Sequence, residues 1–243
     1  RHVGGGKKAT CVANSPNEPK RMGKFTQAGG PLKITTPLGP DALLLVRLKG
    51  REAISQPFRF ELELVAERHA LVSFDKILGK ACTVEIALPG GSSRLVNGIA
   101  TTFSRAGRDD KFDRYQAVLE PRFSLWQKRI NSRIFQQQSV PDILSAVFTG
   151  LKTSLQLTGN YSSRDYCVQS RESDFAFASR LMEEEGLYYY FVHSADGHQM
   201  VVTDNPFGLP EVAKPAAAIY EEVQGGTRDQ QRITSWTLSQ SVC

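Results

Sequence analysis

The stretch FRFELELV, residues 58–65, alternates strictly. Phe58, Phe60, Leu62 and Leu64 fall on one side, Arg59, Glu61 and Glu63 on the other. Successive residues of a strand point to opposite faces, so this period of two predicts a strand with one buried and one solvated face. The surroundings repeat the signal. LLLVRLK (43–49) is compact and apolar, and CTVEIAL (82–88) alternates. PGGSS (89–93) is a turn; RLVNGIATTFS (94–104) and FDRYQAVLE (112–120) are strands on either side of the polar turn RAGRDDK (105–111). Short strands with turn signals between them predict an antiparallel barrel or sandwich, not a parallel α/β sheet.

Downstream the period changes. In SVPDILSAVFTGL (139–151), Ser139 is placed to cap a helix, with Pro141 in the first turn and Asp142 three residues after the cap. Ile143, Leu144, Val147, Phe148 and Leu151 make an apolar stripe at helical spacing. A second helix follows Ser173, with Asp174 near its positive end. Phe175, Ala178, Leu181 and Met182 line one face, and Gly186 supplies the left-handed residue that commonly ends a helix. LYYYFV (187–192), the turn SADG (194–197) and HQMVVTD (198–204) read as a hairpin, and RITSWTLS (232–239) as a later strand. The layout is β-rich, then helical, then β-rich.

The chain has 243 residues and a net charge of +5. Residues 1–40 hold seven basic side chains against the single Glu18, a surplus of six that leaves the body at −1. The basicity therefore belongs to a leader rich in Gly, Pro, Lys and Ser, expected to be disordered. The body lacks the positive face of a nucleic-acid-binding domain. Cys11, Cys82, Cys167 and Cys243 are too widely spaced for a zinc ribbon or a redox pair and are expected as reduced thiols. The N-terminal residues have no hydrophobic segment of the kind a secretory signal carries. No apolar run approaches the ~20 residues of a membrane span.

The candidate chemistry lies in SRLMEEEGLYYYF (179–191). Glu183, Glu184 and Glu185 could be a metal site, an acid/base set or the charged end of a helix. Successive helix residues diverge by about 100°, so three in a row cannot converge on one ion. Arg180 stands three residues before Glu183 and four before Glu184, the spacing of a helix-surface ion pair. A solvated or salt-bridged helix end is expected. His193 and His198 straddle a turn and can approach across a hairpin; without a third ligand they are expected as surface residues. Of Tyr188, Tyr189 and Tyr190 only the first and last share a face, with core on one side and subunit contact on the other. No G-x-S-x-G, H-E-x-x-H or dinucleotide fingerprint is present, and GGGKKAT (4–10) lacks the first glycine of a phosphate loop. The expectation is no catalytic residue, no cofactor and no metal.

Five blocks in order carry a resemblance: EAISQPFRFELELVA (52–66), DKILGKACTVEI (75–86), NGIATTF (97–103), YQAVLEPRFSLWQKRINSRIFQQQSVPDIL (115–144) and YCVQSRESDFAFASRLMEEEGLYYYFVH (166–193). Together they resemble VgrG, the valine–glycine repeat spike proteins of the bacterial type VI secretion system. Ser170 departs from the aromatic residue usual after the Gln. The resemblance implies a phage-tail-hub-like fold: two antiparallel β-barrels with inserted helices. It divides the chain into the leader 1–40, a first barrel region 41–121, a helical insertion 122–186 and a second barrel region 187–243. It further implies a non-enzymatic homotrimer presenting a pseudo-six-fold platform to a hexameric tube protein. A needle, tip protein and effectors would engage parts outside these residues, and the full-length assembly would pierce a target membrane. Such a protein waits in the bacterial cytoplasm and is exported by the apparatus itself. The alternatives are the equivalent hub of a contractile phage, or a hydrolase using Glu183–Glu185.

Overall fold

The computed structural model describes residues 25–88, 91–205, 209, 219–220, 232–233 and 235–237. Six strands form one sheet: β1 (Leu32–Thr35), β2 (Leu44–Ala53), β3 (Gln56–Glu67), β4 (Ala81–Ala87), β5 (Ser93–Arg108) and β6 (Phe112–Glu120). Their spatial order is β1-β4-β5-β6-β3-β2, antiparallel at every step. Register shifts on β2 and β5 mark bulges, which bend and twist a strand. The sheet curls into a half-barrel whose edge strands β1 and β2 come within 8 Å between Cα atoms.

The alternation read in residues 58–65 holds. Phe58, Phe60, Leu62 and Leu64 are all buried, with Val84, Val96, Ala100 and Leu119, in the first of two cores. Three strands outrun their expected bounds. β2 continues to Ala53, β3 spans Gln56–Glu67, and β5 runs to Arg108 through what was read as turn.

The leader expected over 1–40 is cut short by the structure. Residues 25–40 belong to the fold, whereas 1–24 lie outside the described residues. Phe25 donates its backbone N–H to Glu67 and sets its ring 4.8 Å from Phe112. Leu32 and Ile34 face the first core from β1, which pairs with β4 from Leu32↔Ile86 to Thr35↔Thr83. The free edge of β1 is closed by one side chain. Gln27 Nε2 donates to the Ile34 carbonyl and Gln27 Oε1 accepts the Ile34 N–H, both at 2.8 Å. A strand of four residues among Gly, Pro and Thr is too short for composition to reveal.

The second core follows a 3₁₀ turn (Arg122–Lys128). It is built from β7 (Ile130–Gln138), α1 (Val140–Val147), β8 (Thr153–Gln156), β9 (Arg164–Ser173), α2 (Asp174–Glu184), β10 (Tyr188–Ser194) and β11 (Gly197–Thr203). Both caps form as read. Ser139 and Asp142 make a reciprocal capping box, and the Ser173 hydroxyl accepts from Ala176 N. α1 ends at Val147, short of the expected 151. Gly186 takes φ +67 and closes α2, as Leu187 N–H reaches back to the Met182 carbonyl. Phe177, absent from the apolar face expected of α2, is fully buried, while Phe175 packs only partly.

The insertion 122–186 is not simply helical. β7 pairs with β9 as an antiparallel ribbon, and β8 joins β11 in parallel beside the β10–β11 hairpin. Sequence missed these strands because β7 reverses the usual alternation: Ile130 and Ile134 are exposed, while Asn131 and Arg133 face inward. Near the end, β12 (Ile219–Tyr220) pairs in parallel with β13 (Arg232–Ile233), which covers two residues of the expected 232–239 strand; 238–239 lie outside the described residues.

Candidate functional site at the junction of the cores

The glutamate run ends α2 as charged surface. Arg164, on β9, bridges two of its members, with Nη1 2.7 Å from Glu184 and Nη2 2.5 Å from Glu185. Arg180 meets Glu184 at 3.1 Å in the i,i+4 pair expected from sequence, and Glu172 at 2.8 Å. The Arg164 hydrogen bond leads in holding the Glu184 carboxyl below its usual range. Arg164 was not foreseen, since only tertiary folding brings it beside α2. Glu184 and Glu185 share cations rather than a ligand cavity. Among the described residues no group of three or more His, Cys, Asp or Glu is placed to hold a metal.

The start of α2 holds the most buried charge. Asp174 is fully buried; its Oδ1 accepts from Asn131, Gln169 and Arg133 at 2.9, 2.9 and 2.5 Å. Arg129 lies 3.2 Å from Oδ2 and stacks 4.6 Å over the Trp126 ring. Oδ2 itself has no well-aligned donor, so Arg129 serves it as a charge. This cluster pins the β7–β9 ribbon to α2.

His193 and His198 do pair across the hairpin, but they are not surface residues. The His193 side chain is 7% exposed. Both rings turn into the junction, beside Phe58 of the first core at 4.8 and 5.5 Å. The reason is the sheet above. β6 ends opposite Ile99, so residues 93–98 of β5 have no strand partner on that side and β10 covers them. Asn97, 3% exposed, is the hub of the contact. His193 Nδ1 lies 3.1 Å from the Asn97 backbone N and His198 Nδ1 3.0 Å from Asn97 Oδ1. The β2–β3 turn adds a backbone bond, Ser55 N–H to the Tyr189 carbonyl at 2.8 Å. Tyr189 is core, and Tyr190 lines a cavity with Glu52, Ile54 and Phe58. The second face of the tyrosine strand is thus turned partly to its own chain, where sequence placed a subunit contact. Glu52 and Asn97 were also missed. The available signal was VNGIA (96–100), too apolar on both faces for a strand with one solvated side.

Cys82 and Cys167 are buried free thiols, and burial pushes Cys82 up to about 11; Cys11 and Cys243 lie outside the described residues. No helix among the described residues is long and apolar enough to cross a membrane.

The outer face of the β7–β9 ribbon is the exposed apolar surface of this half. Ile130, Ile134, Tyr166 and Val168 are 69, 64, 65 and 47% exposed. Between them stand Ser132, Gln136 and Ser170, none charged. Such a surface on a two-stranded ribbon is unusual for a free-standing chain.

This combination of a curled half-barrel, a capped two-helix insert and a second small sheet recurs in known proteins. The model of the phage tail baseplate hub (GPD) family matches residues 51–243. The chain belongs to this family. Curated hub relatives include the type VI secretion system spike proteins VgrG1a and VgrG1c of Pseudomonas aeruginosa. VgrG1a is 38% identical over 214 residues, covering 87% of this chain and 33% of the relative. VgrG1c is 38% identical over 221 residues, covering 90% and 30%. The chain therefore spans about a third of the length of these spike proteins. Among solved hub-like structures, an E. coli type VI secretion component described as similar to T4 tail proteins gp27 and gp5 superposes with TM-score 0.64. It is 24% identical and covers 78% of this chain and 51% of that one. A prophage MuSo2 tail protein from Shewanella oneidensis gives TM-score 0.50 at 16% identity, covering 78% and 57%. These two likenesses speak for the hub fold alone.

Proposed function

We propose that these residues are the hub portion of a type VI secretion spike. In this reading three copies form a platform on which a hexameric tube protein docks, while a needle outside these residues leads toward the target membrane. The observation that carries it is the 38% identity to type VI spike proteins over nearly the whole chain. That identity favours the secretion reading over a phage particle. The first barrel region would end near 121 and the second begin near 187.

The role is assembly rather than catalysis. Two of the clustered carboxylates, Glu184 and Glu185, are committed to Arg164 and Arg180, which supports a structural part. The uncharged ribbon face suits contact with another copy. Tip protein and effectors would be engaged through the needle, and the protein would leave the bacterial cytoplasm through the apparatus. Trimers require a closed three-fold ring, and obligate contacts of this kind bury more than ~2,000 Å². Sedimentation across a concentration series should show trimers in preference to dimers, and Ile134→Asp should weaken them at least tenfold. Co-sedimentation with a hexameric tube protein from the same gene cluster should show capping at one end. A protein that stays monomeric at every concentration and ignores the tube would end this reading.

A further inference from the structure

The junction between the cores is a chain of hydrogen bonds with a fixed direction. The Arg122 backbone N–H donates to His198 Nε2 at 3.0 Å, so the proton of that ring sits on Nδ1 and goes to Asn97 Oδ1. Asn97 Nδ2 donates to Thr83 Oγ1 at 2.7 Å, and Thr83 Oγ1 donates to the Ala195 carbonyl at 3.2 Å. On the other side the Asn97 N–H donates to His193 Nδ1, and His193 Nε2–H reaches Glu52 Oε1 at 3.1 Å. Glu52 is held in turn by Arg94.

The two imidazoles answer a second proton differently. His193 Nδ1 lies 3.1 Å from the Asn97 carbonyl as well as from its N–H, so a proton added there finds an acceptor. Its other nitrogen faces the Glu52 carboxylate. His198 has no such alternative. A proton on its Nε2 would point straight at the Arg122 N–H. The cavity of about 180 Å³ around it is lined by Arg122 and Lys152, with Asp196 the one carboxylate among its lining residues. The edge of Phe58 removes water from the other side.

We propose that His198 is an acid-triggered release at the joint between the two cores: its protonation breaks the contact to Arg122, where the chain leaves β6 for the second core, and loosens that connection while each core stays folded. Burial first, then His193 and Arg122, hold the His198 pKa down at about 4 from its ordinary 6.5. A depressed pKa means that the joint has its full stability above about 6.5 and loses it as pH falls toward 4. Opening is favoured about tenfold per pH unit across that window, roughly 300-fold in all. Glu52 stays ionised across that window, since the His193 hydrogen bond, ahead of Arg94, keeps its carboxyl below the usual range, so the trigger is His198 alone. At neutral pH the joint is closed, and an acidic surrounding would free one barrel to tilt on the other.

The test uses spin labels at Gln116→Cys and Ala146→Cys, on the outer faces of β6 and α1, with Cys11 and Cys243 changed to Ser. The distance distribution is measured by pulsed EPR from pH 7.5 to 4, with far-UV circular dichroism alongside. It should be narrow at neutral pH and broaden below 6.5 while the dichroism is unchanged. His198→Gln, whose amide can accept from Arg122 and donate to Asn97, should stay narrow. Broadening that coincides with loss of secondary structure, or that persists in His198→Gln, overturns the proposal. Should that variant not fold, nitrogen NMR of the unsubstituted chain decides. Nδ1–H with titration near 4 supports the release; Nε2–H, or titration near 6.5, refutes it.

Discussion

The first core is held by alternation, the second by a buried charge. Around the half-barrel, apolar residues of β3, β4, β5 and β6 meet in one layer, and the ion pairs lie mostly outside it. In the second core the apolar residues come from helices, hairpin and turn, and the β7–β9 ribbon is fastened through Asp174. A sheet with hairpin neighbours can rely on hydrophobic burial, which has no direction. A ribbon showing apolar residues to solvent needs directed bonds to be held one way round. The difference is between a part that can be rebuilt from many sequences and a part that depends on a few side chains.

The sharpest way to break that contrast is Asp174→Ala. It strands Arg129, Arg133, Asn131 and Gln169 around a hole, and removing one partner of a buried pair costs about 3–5 kcal/mol. Urea unfolding followed by Trp126 fluorescence, in a Trp236→Phe background, should show the second core melting first. A loss under ~1 kcal/mol would mean that the ribbon is held by apolar contact after all. Next comes Gly50→Ala in the first core. A Cβ there would stand 2.2 Å from Phe60 Cδ1, so the ring must leave a buried position. Overpacking of this kind costs about 1–3 kcal/mol. Thermal melts should show the loss, and Phe60→Leu should recover part of it; no recovery would place the strain elsewhere. The smallest effect is expected of Glu183, Glu184 and Glu185 changed together to Gln, because exposed ion pairs are worth under ~1 kcal/mol each. Higher salt should shrink even that difference. A loss above ~3 kcal/mol would make α2's charged end part of the second core's fastening.

The same contrast governs what could be read in advance. β3, β4 and β6 were legible because each has one wetter and one drier face, β5 because it is an apolar run between turns, and the helix caps because Ser139, Asp142 and Ser173 act on neighbours a few residues away. The glutamate run was legible as a charged end by helix geometry, but its principal partner, Arg164, is about 20 residues upstream. The junction was hidden for a related reason. Asn97 and His193 are 96 residues apart and meet only when both cores exist. β7 was hidden because its two isoleucines face outward, toward a surface that another molecule would supply in the proposed assembly.

β1 carries a practical consequence for handling the chain. It is short, and among the described residues it alone pairs with the far edge of β4. Its own outer edge at Ile34 is closed by Gln27. A cut after residue 24 keeps every residue of this arrangement. A cut after residue 40 uncovers the β4 backbone from Thr83 to Ile86 along with the apolar side chains beneath β1. An open row of N–H and C=O groups beside apolar side chains is a template on which a foreign strand can add. The shorter product would be prone to self-adhesion in solution, although its sheet would still hold five strands.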